Sequence, residues 1–429
     1  MTETSQQINT GVTECIILAG GLGTRLREAV PGLPKAMAPV AGKPFLSYLI
    51  NYLRMQGISQ FIFSLGYRSE AIIDFLEKEY PLLQYKCVIE EEPLGTGGAV
   101  QLAMKQAVTD QVLVVNGDTF YEVDLEGMFA FHNSVKAGCT MVLKPMKQFD
   151  RYGLVELDEA GQVISFREKQ YYDEGLINGG VYLVDRQSFL SHSFPEKFSF
   201  EKDYLEPNAG KDVLYGKLDE GYFIDIGIPG DFQKADRDFQ RKPFDLSAID
   251  QEWSLFLDRD GVINEELPAS YVMQWKEFIF SKGVLEVMKK LSDSFGHVFV
   301  VSNQRGVGRG LMTEEMLQTI HLEMQREVEV VGGRIDRIYY CTEVDDHYLF
   351  RKPNPGMAMQ AKKEFPAISF KKSIMVGNKP GDMKFGRAAG MYTVFITSTN
   401  PSQPYPHPDI DAVFPSLYDF AKAIEAAGR

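Results

Sequence analysis

Residues 15–28 read CIILAGGLGTRLRE, an apolar run set directly against a glycine-rich turn with two arginines. Glycine lets backbone N–H groups approach an anion closely, and a helix N-terminus adds unpaired N–H groups and partial positive charge. Gly20, Gly21 and Gly23 therefore suit a loop wrapped around a triphosphate, with the planar fork of Arg25 on its terminal oxygens. The spacing is neither the G-x-G-x-x-G of dinucleotide sites nor a P-loop, since no G-K-[ST] closes it. PGLPKAMAPVAGKP follows and presents Lys35 after a proline-stiffened turn. Far along the chain a second apolar run, LFLDRDGVIN, ends in Asp258, with Asp260 two residues on. That spacing lets both carboxylates reach one substrate from a strand end turning into a loop.

Short apolar strands alternating with amphipathic helical patterns must carry these residues, which is the signature of α/β folds with mainly parallel sheets. The first series is CIILAG, QFIFSLG, KCVIE, VLVVNGD and TMVLKP, with helical candidates such as PFLSYLINYLRMQ between them. Around residues 153–185 a hairpin turning at Asp158–Gly161 and the strand NGGVYLVD predict a mixed extension of the sheet. A fresh series follows: SLFLDRD, HVFVVSN, RIYYCT, SIMVGN and YTVFIT. A chain of 429 residues exceeds one typical core. Two domains are expected, residues 1–240 and 253–429, joined by a polar linker at 241–252.

With 44% apolar residues, 24% charged residues and a net charge of −14, the composition is that of a globular protein without a nucleic-acid or anionic-membrane partner. The four cysteines, Cys15, Cys87, Cys139 and Cys341, form no CxxC pair and read as reduced thiols. The polar start MTETSQQINT and the lack of a membrane-length apolar stretch predict a cytoplasmic protein. A homo-oligomer is left open.

Over residues 13–240 the motifs LAGGLGTRL, PKAMAPVAGKP, EEEPLGTGGAV, VVNGD, REK, NGGVYLV and FIDIGIP resemble, in order, the sugar-1-phosphate nucleotidyltransferases. The resemblance implies a Rossmann-like domain with a mixed sheet, in which a sugar phosphate attacks the α-phosphorus of a nucleoside triphosphate. Ala19, Gly20, Gly21, Gly23, Thr24, Gly95 and Thr96 would bind the nucleotide, and Arg25 and Lys35 would supply catalytic cations. Asp118 and Asp225 would hold Mg²⁺ from two strand ends. Glu168, Lys169, Asn178 and Gly179 fall where relatives contact the sugar and its phosphate. In this family the residues before LGT face the base. A carboxylate accepts from both N1–H and the exocyclic amine of guanine, whereas it would repel the carbonyls of uracil or thymine. Among Glu90, Glu91 and Glu92, register favours Glu90, and GTP is the expected substrate.

Residues 253–428 resemble the haloacid dehalogenase phosphohydrolases, in the branch acting on heptose bisphosphate and histidinol phosphate. They carry DRDGVIN, VVSNQRGVGRG, FRKPNPGM and MVGNKPGDMKFGRAAGM in order. The resemblance implies that Asp258 attacks phosphorus, that Asp260 serves as acid and then base, and that Ser302, Asn303, Arg351 and Lys352 surround the phosphate. Mg²⁺ would meet Asp258, the Asp260 carbonyl and the fourth station, where Asn378 replaces the usual Asp and Asp382 lies one helical turn on. On charge count alone, Asn378→Asp should bind Mg²⁺ more tightly. Short station spacings leave no room for a cap domain. The loop before RKP holds only Cys341 and His347, too few for structural zinc.

The two resemblances select each other, because removing the 7-phosphate of a heptose 1,7-bisphosphate leaves the sugar 1-phosphate that a guanylyltransferase consumes. The expected function is therefore GDP-heptose synthesis from heptose phosphates and GTP. The alternative is a mannose-1-phosphate guanylyltransferase fused to a non-catalytic or histidinol-phosphatase-like module.

Overall fold

The structure, a computed structural model, describes residues 13–21, 30, 32–267 and 270–428. The chain divides into two compact units, Met1–Arg241 and Lys242–Arg429.

In the first unit β1 (Glu14–Leu18), β2 (Gln60–Leu65), β3 (Gln84–Ile89) and β4 (Gln111–Asn116) run parallel. Residues alternate between two cores: Cys15 and Ile17 pack on one face of the sheet, Ile16 and Val114 on the other. Strands covered on both faces need apolar residues at every position, which is why CIIL and VLVV read as unbroken runs. Helix α1 (Phe45–Met55) covers one face with Leu46, Leu49, Ile50 and Leu53 at helical spacing. α2 (Gly95–Met104) supplies Val100, Ala103 and Met104 to the other face.

The chain then pairs β5 (Thr119–Tyr121) with β11 (Phe223–Asp225) as a separate antiparallel ribbon. The long β6 (Cys139–Phe149) and β9 (Tyr172–Asp185) are antiparallel to each other, and β9 also runs antiparallel to β4, so the sheet is mixed. β7 (Leu154–Leu157) and β8 (Val163–Arg167) form the hairpin expected from the sequence. Asp158 closes its turn by accepting from the backbone of Ala160 and Gln162. The order is β8-β7-β9-β4-β1-β2-β3, with β6 beside β9 and β10 (Leu214–Leu218) beside β6.

The second unit is a six-stranded parallel sheet, β14-β13-β12-β15-β16-β17. Its strands are β12 (Ser254–Leu257), β13 (His297–Asn303), β14 (Arg337–Cys341), β15 (Ser373–Gly377), β16 (Tyr392–Ile396) and β17 (Ala412–Phe414). Helices α3 (Val284–Ser294), α4 (Glu314–Val330) and α5 (Pro380–Ala389) are among those that flank it. The stretch read as a linker is not a free tether. Residues 242–252 lie in this unit, where Phe244, Leu246 and Ile249 pack half-buried on the core and the Phe244 ring meets Tyr392 at 5.2 Å. Their apolar spacing was hidden among polar neighbours. No helix among the described residues is long and apolar enough to cross a membrane.

In each unit the strand order reverses at the first strand. β1 lies between β2 and β4, and β12 between β13 and β15, which opens a crevice beyond the carboxyl ends. In the first unit β9 packs closely over β5. A Cβ at Gly179 would overlap the Tyr121 ring and sit 3.1 Å from the Val142 carbonyl. Gly179→Ala should therefore cost about 1–3 kcal/mol through overpacking. Urea melting should show the first unit unfolding earlier with the second unchanged; unchanged melting of both would refute the packing argument.

Candidate active sites

The first site is a cavity of about 770 Å³ at the ends of β1, β2 and β4. Ala19, Gly20, Gly21, Lys35, Glu90, Gly95, Thr96, Asp118 and Asp225 all line it. Gly23, Thr24 and Arg25 lie outside the described residues. A Cβ on Gly20 would meet Glu90 Oε1 at 3.0 Å and the Gly66 nitrogen at 3.2 Å, so any side chain there would make Glu90 or the backbone give way where the loop passes the β2 end. Lys35 Nζ bonds Asp118 and also reaches Asp225 Oδ1 at 3.3 Å. The β5–β11 ribbon makes this possible. Asp118 precedes β5 and Asp225 ends β11, and the Ile226 N–H donates to the Asp118 carbonyl at 3.1 Å. Arg151, which sequence reasoning missed, stands on the far side, pairing with Asp231 and lying 3.9 Å from Asp225 Oδ2. Two converging carboxylates open to solvent form a donor set suited to Mg²⁺.

Of the three glutamates before LGT, Glu91 and Glu92 are exposed, while Glu90 is half-buried and accepts from the Leu94 N–H at 3.0 Å. Burial raises its carboxyl above the ordinary range, and the Leu94 bond opposes the rise. Gly95 and Thr96 line the cavity, but the Thr96 hydroxyl is engaged with the neighbouring segment. It donates to Glu201 at 2.9 Å and accepts from the Phe200 N–H at 2.9 Å. The Gly97 N–H at the start of α2 donates to the Phe198 carbonyl at 3.0 Å. Glu168 and Lys169 are exposed between β8 and β9. Asn178 donates to the Tyr182 hydroxyl at 2.8 Å and accepts from the Gly180 N–H at 3.0 Å. These three and Gly179 are not among the residues lining the cavity.

The second site is drier. Lys352 Nζ lies 2.9 Å from Asp258 and 2.7 Å from Asp382, with all three side chains no more than 8% exposed. Burial raises the Asp258 carboxyl, helped by Asp382 and opposed by Lys352. Burial works against the Lys352 charge, but the two carboxylates outweigh it and hold the ammonium protonated. The Lys352 ammonium also donates to the Val301 carbonyl at 2.8 Å, and its backbone is gripped in both directions by the Asn303 amide.

Asp260 is held differently. Arg259 clamps it with Nη2 at 2.8 and 2.9 Å, and Asn264 and Gln304 each donate at 3.0 Å. Burial would raise this carboxyl, but Arg259 and these hydrogen bonds hold it below the usual range. Behind Arg259 lies His321 on α4, its Nε2 3.3 Å from Nη1. Burial and the adjacent guanidinium push that ring down to about 3, so it is neutral and can accept. Arg259 and Gln304 lie within DRDGVIN and VVSNQRGVGRG, but nothing in the sequence marks their contacts with Asp260, and a histidine on a helix such as His321 reads as core. Ser302 is buried and accepts from Gln304 at 2.7 Å. Arg351 turns to Asp346 at 2.8 Å and the Glu343 carbonyl at 3.0 Å, tying the loop after β14, which Arg305 also joins through Asp346. Cys341 is buried at the end of that strand.

Asn378 is fully buried at the end of β15. Its amide nitrogen is satisfied, but its Oδ1 is buried without a hydrogen-bond partner. An orphaned amide oxygen beside this carboxylate cluster fits a divalent cation held with Asp258.

Lys352→Met should leave two buried carboxylates unpaired and destabilise the second unit by about 3–5 kcal/mol. Calorimetry of the full chain would show this; a loss under 1 kcal/mol (about the value of an exposed pair) would mean the site is wetter than described.

Residues 14–242 match the nucleotidyl transferase family, and residues 258–416 match the polynucleotide kinase 3 phosphatase family. The chain is 49% identical over 227 residues to the D-glycero-alpha-D-manno-heptose 1-phosphate guanylyltransferase of Aneurinibacillus thermoaerophilus, across 53% of this chain and 98% of that protein. It is similar to the structure of HddC from Yersinia pseudotuberculosis complexed with GMP-PN, at 38% identity and a TM-score of 0.49, across 53% of this chain and all of that one. It is also similar to the D,D-heptose 1,7-bisphosphate phosphatase of B. bronchiseptica complexed with magnesium and phosphate, at 27% identity and a TM-score of 0.38, across 41% of this chain and 98% of that one. With more than half its length matched, and with the two aspartates gathered at the head of its first sheet, the chain belongs to the nucleotidyl transferase family.

Proposed function

We propose that this chain is a bifunctional enzyme of GDP-heptose synthesis. The second unit removes the 7-phosphate of D-glycero-D-manno-heptose 1,7-bisphosphate, and the first transfers GMP from GTP to the resulting heptose 1-phosphate. The observation that carries this reading is a lysine shared by two carboxylates at the head of each sheet, which is where phosphates must be met by balanced charge. The name of the guanylyltransferase relative supports the base and the sugar. A cytoplasmic setting, small-molecule substrates and Mg²⁺ at both sites accompany the reading.

In the first unit an oxygen of the sugar 1-phosphate attacks the α-phosphorus of GTP, and the α–β bridging bond breaks to release pyrophosphate. Lys35 is placed to pass from the carboxylates to phosphate oxygens, while Glu90 accepts from the guanine N1–H and amine. In the second unit the Asp258 carboxylate attacks the 7-phosphate, and Asp260, once it has taken up a proton, gives that proton to the departing sugar oxygen. Water then cleaves the aspartyl phosphate, giving its proton to Asp260 as inorganic phosphate leaves. Ser302 and Lys352 orient the phosphate. When bound, Mg²⁺ supplies charge neutralisation at Asp118 and Asp225 in one unit, and at Asp258, the Asp260 carbonyl and Asn378 in the other.

The pure protein given heptose 1,7-bisphosphate, GTP and Mg²⁺ should yield GDP-heptose by mass spectrometry. Strong preference for mannose 1-phosphate over heptose 1-phosphate would defeat the reading. Glu90→Gln should lower kcat/KM for GTP by about ten- to a hundredfold, the scale of lost charge-assisted hydrogen bonds. An unchanged GTP to UTP ratio in that variant would remove Glu90 from base recognition.

A further inference from the structure

The surroundings of Asn378 reverse what charge counting predicts for it. Its Nδ2 donates to Glu266 Oε2 at 3.0 Å and to the Thr399 hydroxyl at 2.6 Å. A carboxylate can only accept, so Glu266 fixes which way the amide faces. With the nitrogen turned to Glu266 and Thr399, the oxygen faces the other way, buried and without a partner. Glu266 is in turn held from outside by Lys379, at 2.6 Å from its other oxygen. Gly261 leaves the room for this contact: a Cβ there would overlap Asn378 Nδ2 and lie 3.3 Å from Glu266 Oε2.

We propose that Glu266 and Asn378 form one matched cation-binding unit, in which Glu266 is a positioning residue that aims the Asn378 amide oxygen at the divalent cation of the second site. The inference rests on the phosphatase reading of that site. In Asn378→Asp the new side chain would face Glu266 across the same short distance, carboxylate against carboxylate. Relieving that repulsion takes a proton, which cancels the added charge, or a rotation, which turns the oxygen from the cation. In the native background Asn378→Asp therefore gains nothing. It gains only when Glu266 is also neutral, because the amide introduced by Glu266→Gln can donate to the new carboxylate and restore the aim.

The test is a double-mutant cycle read by Mn²⁺ affinity, from the electron paramagnetic resonance of free Mn²⁺. All variants are full chains carrying Asp118→Asn and Asp225→Asn, so that only the second site is counted. Glu266→Gln should weaken Mn²⁺ binding by about tenfold or more, as for other outer partners of metal ligands. Asn378→Asp should bind no more tightly than its parent, and the Asn378→Asp, Glu266→Gln pair should recover most of the loss. Metal-free melting temperatures identify any variant that fails to fold. If Asn378→Asp fails in this way, Thr399→Val, which removes the other acceptor, should weaken binding in the same direction as Glu266→Gln. Unchanged affinity in Glu266→Gln, or tighter binding by Asn378→Asp alone, overturns the proposal while leaving the phosphatase reading intact. Absence of both Mn²⁺ binding and phosphate release in the parent overturns the two together.

Discussion

A lysine held between two carboxylates is the constraint on which both halves of this molecule depend. Each pair of acids would repel strongly if left alone near the head of a sheet, and a single ammonium offsets that repulsion. The two clusters differ in how much water they retain. Around Lys35 the side chains are 16–35% exposed, so the effective dielectric is high and the contacts can exchange with an incoming phosphate or cation. Around Lys352 all three are nearly dry, and breaking the cluster would strand a buried charge. The first arrangement suits a site that admits a large polyanion, the second a site where one carboxylate must stay aimed at phosphorus.

The strands explain why the acids arrive together. In the second unit Asp258 is the first residue past the central strand, and its own N–H still bonds the Val376 carbonyl of β15. In the first unit the meeting needs the extra β5–β11 ribbon, which brings a residue more than a hundred positions later to Asp118. Glycines set the tolerances, because a side chain at Gly20 would press on Glu90 and on the Gly66 backbone.

How far the sequence could be read follows from which contacts are local. Alternating apolar runs gave both sheets, and Asp158 and Gly161 gave the hairpin. Lys35, Asp118, Asp225 and Asp258 stood out because each lies in a motif of a family resemblance, next to a recognisable strand or turn. What stayed hidden depends on tertiary packing. Arg259 looks like a spacer between two aspartates until its clamp on Asp260 and its contact with His321 on α4 are seen. Arg151 lies on a loop that only the closed sheet brings to Asp225. Phe244, Leu246 and Ile249 looked like linker residues because the surface that buries them is formed by residues much later in the chain, Tyr392 among them.

Asn378 is best understood through the load on Lys352. An aspartate there would add a third buried carboxylate beside Asp382, whose Oδ2 the Asn378 N–H already meets at 3.2 Å, next to a lysine that already offsets two. Desolvation makes each added charge expensive, and the ammonium that offsets two acids does not offset three. An asparagine keeps an oxygen at the position without adding to that load. The remaining acid, Glu266, stands one hydrogen bond further out, where Lys379 balances it and solvent reaches it. Charge has been moved outward rather than removed. The ligand oxygen and the anion that supports it have become separate residues, so the effect of changing one depends on the state of the other.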